Sequence, residues 1–503
     1  MRIKYSLYEL STLYEKLVQK AYTYFENSSY DDCIKCVEHA AHFQYFLNNI
    51  YSDYRLDLLI RRVSQNFFHV KKEYKGKDTV FFYDSFCLDN RGLTQHYLDA
   101  LISSGKYKVV YICEKPSVPL ESDTVNMLKD NYVDYYFLPD ISWKEKCEYL
   151  HCLISKYSPK AALFHLTPYT TIPFIAFLPF PQIVKYQINL TDHAFWLGGN
   201  FFDYLYEFRS YGVTLSIEKR GYKEQQLILN SFYPWQSKES FKGFPASIEG
   251  KVVVFSGGAM YKIEGENGIY FTLVKSILDT YPNVIFFYAG EGNDVPIRNF
   301  IKENAYEERL LLLGNRKDID AVFKNCDIYM STYPFGGGLM SQYAAINSKP
   351  ILVYKSTDIE KLACTKQYIP YALNTIQEFI DEAGLLINNE TYRKERGDFF
   401  KSLIINQETF RARFHETFMN SYIENVDYCF EKIDYSGLCH GYVDRINNNA
   451  FGLIERRFIL NKIFTLKVIL NSLLYLPTFL YNTVERLINF CKKKLCKLNL
   501  SDF

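Results

Sequence analysis

From about residue 5 to residue 70, apolar positions recur at three- and four-residue spacing. In "AYTYFENSSYDDCIKCVEHAAHFQYF" that spacing is interrupted once, at Asn27-Ser28-Ser29, which predicts two amphipathic helices joined by a turn. The polar stretch "KKEYKGKD", Lys71–Asp78, then changes the period. Short apolar runs follow, each separated by a helical pattern: "TVFFYDSF", "YKVVYICE", "AALFHL" and "FPQIVKYQINL" read as buried strands, and "GLTQHYLDALISSG" as a helix closed by glycine. A break rich in Pro, Gly and Ser, "YPWQSKESFKGFPASIEG", precedes a second alternation through "VVVFSGG", "VIFFYAGEG", "RLLLLG" and "DIYMSTYP". Strand–helix alternation builds parallel sheets covered by helices, and two such doubly wound units form a cleft at the C-terminal ends of their strands. The pattern therefore divides the chain into a helical module (1–74), a first Rossmann-like domain (75–240), a second (248–387) and C-terminal helices (388–503).

Composition narrows this picture little. Hydrophobic residues make up 48% and charged residues 23%, which is a globular balance, and a net charge of +1 gives no global reason to expect nucleic acid. The 12 cysteines are scattered; Cys33 and Cys36 form a CxxC, but it lies within a helical pattern without a second pair at zinc spacing, so buried thiols are expected. The N-terminus "MRIKYSLYELSTLYEKL" carries charges throughout, which argues against a signal peptide and for a cytoplasmic location. The hairpin at the start resembles one tetratricopeptide-type unit without a second copy, and a protein partner is expected on these N-terminal helices.

Charge does matter at the other end. Between residues 456 and 497, Arg456, Arg457, Lys462, Lys467, Arg486, Lys492, Lys493, Lys494 and Lys497 stand against Glu485, with long apolar runs between them. Asn471, Ser472, Pro477 and Asn482 make that stretch too polar to span a bilayer. It reads as a basic amphipathic segment for an anionic membrane surface, or as a helix docked on the protein's own body.

Three strand-end turns in the second half carry the candidate chemistry. "FSGGAMYKIEGENG" places Gly258 and Lys262 ahead of a helix, and "YAGEGND" places Gly290 and Glu291 after a strand. "YPFGGGLMS" places Tyr333, Pro334, Phe335, Gly336, Gly337, Gly338, Leu339, Met340 and Ser341 between a strand and a helix. A glycine-rich turn at a helix N-terminus offers unpaired N–H groups and the positive end of the helix dipole, and a lysine beside it suits a diphosphate. Each turn alone could be a simple connection; their shared position at one sheet edge favours the phosphate site.

These segments, with "LLLGNRKDIDAVFKNCDIYMSTYPFGGG" and "AAINSKPI", resemble the nucleotide-sugar half of GT-B glycosyltransferases, above all the O-linked N-acetylglucosamine transferases and the bacterial adhesin-modifying N-glycosyltransferases. The resemblance implies a GT-B fold and a donor diphosphate on Lys262 and the Tyr333–Ser341 turn. It also implies Asn315 and Arg316 near the base, a nucleotide-sugar donor (UDP-linked favoured), and neither cofactor nor metal. It departs where the family carries a ribose-binding carboxylate in the helix after the glycines: this chain has Gln342 and Tyr343.

In the first half, "SFCLDNRGLTQHY" puts Asn90, Arg91 and Gly92 on one strand-end loop, and "NLTDHAFWLGGNFFDY" puts Asp192 and His193 on another. An inverting transfer needs a general base at the acceptor hydroxyl, and Asp192 and His193 are the candidates; a capped turn or a core histidine is the plainer alternative. The expected function is inverting, metal-independent sugar transfer to a surface-glycan or lipid-linked acceptor, on the inner face of a membrane. Transfer to protein is the alternative, and an inactive GT-B partner subunit is the reading from another class.

Overall fold

In the computed structural model, the structure describes residues 3–86, 93–114, 123–235, 239–264, 268–334, 336–354, 372–420, 432–449 and 453–474. Seven strands form a first, wholly parallel sheet: β1 (Lys77–Asp84), β2 (Lys108–Cys113), β3 (Asp134–Phe137), β4 (Pro159–His165), β5 (Val184–Ile188), β6 (Tyr204–Glu207) and β7 (Leu227–Leu229). Their order is β3-β2-β1-β4-β5-β6-β7. A second parallel sheet holds β8 (Val252–Gly257), β9 (Val284–Ala289), β10 (Leu310–Gly314), β11 (Ile328–Met330) and β12 (Ile351–Leu352), in the order β10-β9-β8-β11-β12. Both orders reverse direction beside the first strand of the sheet, the switch point at which such sheets open a crevice.

Side chains alternate across each strand, so both faces of each sheet are buried. In β1, Phe81 and Tyr83 join one core while Val80 and Phe82 join another; in β8, Val254 faces one core and Val253 and Phe255 the other. The N-terminal helices, Leu7–Glu26, Tyr30–Leu47 and Tyr54–Phe67, share a core with the first sheet: Leu17, Val37, Phe43 and Leu59 belong to the same cluster as Phe81 and Phe164. Ser6 starts the first helix as a capping box with Glu9, and Leu10, Leu13, Tyr14, Leu17 and Val18 form its buried stripe. Cys33 and Cys36 lie in this core, and burial pushes both thiols up to about 12.

The chain after the second sheet returns to the first. Helix Gln407–Thr417 covers it with Phe410 and Phe414, and Arg411 holds Asp99 through bonds of 2.7 and 2.6 Å. Helices Tyr435–Asn449, Leu453–Leu460 and Leu466–Leu474 end on the N-terminal helices, where Ile446, Phe458 and Val468 enter their core. Among the described residues no helix is long and apolar enough to cross a membrane.

Candidate functional site

At the C-terminal edge of the second sheet, backbone packs directly on backbone. A Cβ at Gly290 would stand 1.8 Å from the Gly258 carbonyl oxygen, so only glycine fits there. Gly258 itself has φ +152° and donates its N–H to Ala289 O at 2.9 Å, while Met260 N–H reaches Glu291 O at 2.8 Å. These contacts lock the turns after β8 and β9 together. They also seat the short 3-10 turn Met260–Ile263, whose Lys262 extends to the third turn and donates to Gly336 O at 3.0 Å. The buried Gly336 and Gly337 lead into helix Gly338–Ile346; Tyr333, Pro334 and Ser341 are buried around them, and Leu339 and Met340 are half-buried. The structure thus brings Gly258, Gly290, Lys262 and the glycine turn to one place: an ammonium beside a helix N-terminus on a rigid floor. Phe335, Asn90, Arg91 and Gly92 lie outside the described residues.

Two residues expected near the base behave differently from each other. Asn315 is exposed at the rim and donates to Glu291 Oε1 at 2.6 Å. Arg316 turns away: its guanidinium holds Asp318 through bonds of 2.7 and 2.6 Å and donates to Gly243 O at 2.9 Å. Burial works against the Asp318 carboxylate, yet Arg316 and the Lys242 N–H together hold it below the usual carboxylate range. Arg316 therefore fastens the linker between the two sheets and is not available at the mouth. Tyr343 serves the same linker. It is buried, its hydroxyl donates to Trp235 O at 2.5 Å, and its neighbour Gln342 donates to Phe232 O at 3.2 Å. The position where the resemblance expects a ribose carboxylate is used to clasp the chain between the domains.

On the first sheet, Asp192 and His193 follow β5 but differ in accessibility. Asp192 is fully buried and paired with Arg209, through a contact with Nε and one of 2.7 Å from Nη2. Burial raises its pKa, but Arg209 and His193 outweigh that and keep it below the ordinary value. A carboxylate so held is a poor proton acceptor, which corrects the expectation that it could act as the base. His193 keeps 30% of its side chain exposed, with Nδ1 3.4 Å from Asp192 Oδ1. Asn48, in the left-handed conformation at the end of the second helix, clamps this loop: it donates to His193 O and accepts from Phe195 N–H, each at 2.9 Å. Asp57 accepts from Gly198 and Gly199 N–H, and burial pushes its carboxyl up to about 6. Phe195 and Trp196 are core residues.

Sequence reasoning missed a second histidine–carboxylate pair. Asp84 and His165 are the last residues of β1 and β4 and stand opposite each other in register. His165 Nδ1 lies 3.2 Å from Asp84 Oδ1, Thr94 and Tyr111 hydroxyls donate to Asp84 Oδ2, and His165 Nε2 is buried without a partner among the described residues. The signal was available: each is a titratable residue closing an apolar strand run.

No protein-family model matches the chain, and no curated protein matches it. Solved structures do. HepE of Anabaena, solved in complex with UDP and glucose, is 12% identical, with 67% of this chain and 98% of that chain covered at a TM-score of 0.51. An O-GlcNAc transferase mutant from Thermobaculum terrenum is 16% identical, with 77% of each chain covered at a TM-score of 0.48. The likeness is one of fold: the chain has the GT-B architecture, two doubly wound units with helical additions at both ends.

Proposed function

We propose that this protein is a glycosyltransferase that moves a sugar from a nucleotide-sugar donor, UDP-linked in our reading, to a glycan or lipid-linked glycan acceptor. The observation that carries it is Lys262 reaching the Gly336 carbonyl at 3.0 Å beside the Gly258–Gly290 crossing, where only glycine fits. A donor diphosphate would replace that carbonyl as the lysine's partner and lie at the N-terminus of helix Gly338–Ile346, whose dipole stabilises the charge that grows as the nucleotide leaves. The UDP and glucose held by HepE support a uridine donor. Configuration would invert by direct attack of the acceptor hydroxyl on the anomeric carbon as the sugar–phosphate bond breaks, its proton passing to His193. Asp192, fixed by Arg209, orients that imidazole. His165 is a second candidate base, on the strength of its unpartnered Nε2 and its carboxylate partner.

Calorimetry with UDP, GDP, CMP and dTDP on wild type and Lys262→Ala tests this reading. A phosphate contact of this kind contributes ~1.5–3 kcal/mol, so the variant is expected to bind one of these nucleotides about ten- to a hundredfold more weakly. Failure of every nucleotide to bind folded protein would leave a partner subunit in place of an enzyme. With a donor identified, label that extracts into organic solvent marks a lipid-linked acceptor, and label retained on protein marks the alternative.

A further inference from the structure

The two ends of the described chain meet. Asn471 accepts from Ile3 N–H at 2.9 Å and donates to Ile3 O at 3.0 Å, Lys467 bonds Glu9 and Lys4 O, and Asn447 brackets Tyr5 with bonds of 2.7 and 2.9 Å. This stitching turns Val468 into the protein and leaves Leu466, Ile469 and Leu470, spaced three and four apart, on the outer face of their helix. In the same joined segments Leu7, Tyr8 and Phe464 are also exposed; Tyr8 is 81% exposed, Leu466 74% and Phe464 59%. Elsewhere among the described residues exposed large apolar side chains stand singly along the sequence, which is ordinary; here they concentrate in two segments that the hydrogen bonds above join.

Cations outnumber acids around these segments, where Asp444, one turn from Asn447, is an exposed acid. Lys4 and Lys462 are exposed in these segments, Glu9 is paired with Lys467, and Glu455 is buried. The sequence that follows, residues 475–503, adds Arg486, Lys492, Lys493, Lys494 and Lys497 against Glu485 and Asp502. A second copy of the chain would bring Lys4 and Lys462 towards their own counterparts, which an isologous contact penalises. Exposed apolar side chains in segments that also carry exposed lysines match the boundary of an anionic bilayer, where the former enter the acyl edge and the latter meet headgroup phosphates.

We propose that residues 3–8 and 459–470 together form a docking surface for an anionic membrane, so that the N-terminal segment shares in a contact the sequence attributes to the basic tail alone. This goes beyond the sugar transfer above and does not depend on it.

The test is co-flotation of the full chain with vesicles of phosphatidylcholine alone or mixed with phosphatidylglycerol. Binding is expected only to the mixed vesicles and should weaken with salt. Leu7→Glu/Tyr8→Glu, which leaves the whole tail intact, is expected to weaken it by at least about tenfold, as is Leu466→Glu/Leu470→Glu. Tyr132→Glu, at an exposed position of the first domain remote in sequence from both segments, is expected to bind as wild type does. These substitutions fall on exposed side chains, and unchanged thermal unfolding checks that each variant folds. Full binding by Leu7→Glu/Tyr8→Glu would overturn the proposal, as would absence of binding by wild type. So would a dimer in sedimentation that the same substitutions dissolve.

Discussion

Lys262, His193 and Gly290 act at the scale of single side chains, and each makes a different demand. Lys262 must reach one acceptor, so its loss should appear in nucleotide affinity. His193 combines a partly exposed ring with a buried carboxylate at Nδ1, so its demand concerns a proton. His193→Asn is expected to lower kcat by roughly 10²–10⁴ while nucleotide binding stays as in wild type, measured by initial rates and calorimetry on one preparation. If the rate falls for His165→Asn instead, the base belongs to the Asp84 pair. Gly290 is a steric demand: a methyl group there meets the Gly258 carbonyl. Gly290→Ala should cost about 1–3 kcal/mol in urea unfolding, and it should weaken nucleotide binding because the turn carrying Lys262 is displaced with Gly258.

Among elements, the dock of the C-terminal helices on the second helix is sensitive to protons. Arg457 Nη2 faces His42 Nε2 at 3.2 Å and Asn461 faces His39 Nδ1 at 2.8 Å. Burial, helped by the Arg457 charge, pushes His39 down to about 4 and His42 to about 3. The unfolded chain takes up protons near pH 6.5 that the folded chain refuses, so this contact stabilises fully above that pH and loses its contribution as the pH falls towards 4. Asp57 and Glu207, pushed up to about 6 and about 7 by burial, act in the opposite sense. The informative quantity is therefore the difference in urea midpoint between wild type and His39→Gln/His42→Gln at pH 7.5 and pH 5 (conditions of roughly neutral and mildly acid solution). That difference should shrink at the lower pH; a constant difference would remove the histidines from the account.

For the whole molecule, the question is what holds the two sheets in one arrangement. Tyr343 and Gln342 grip the Phe232–Trp235 segment, and Arg316 with Asp318 grips Lys242 and Gly243. Both grips come from the second domain, one from the helix after its glycine turn and one from the segment after β10. Arg316→Ala would strand the buried Asp318 carboxylate and should cost about 3–5 kcal/mol in unfolding, with nucleotide affinity within about twofold of wild type. A large loss of affinity with little loss of stability would instead return Arg316 to the nucleotide base.

The parallel sheets, the glycine turns and Lys262 were legible in the sequence because each leaves a local trace. Buried strands show as apolar runs, and a backbone crossing shows as glycine. Asp84 and His165 were harder, since 81 residues separate them in the chain and only the pairing of β1 with β4 makes them neighbours. The roles of Arg316 and Tyr343 could not be read from sequence: an arginine after a strand looks the same whether its partner is a nucleotide or Asp318. The sequence by itself determined the elements, their order and the lysine beside the glycines, because periodicity and backbone sterics act over a few residues. Tertiary structure alone decided which histidine keeps a solvent-facing ring, which arginine holds the linker, and that the segment from Ile3 to Glu9 is bonded to Asn447, Lys467 and Asn471, because burial and ion pairing depend on neighbours brought from distant parts of the chain.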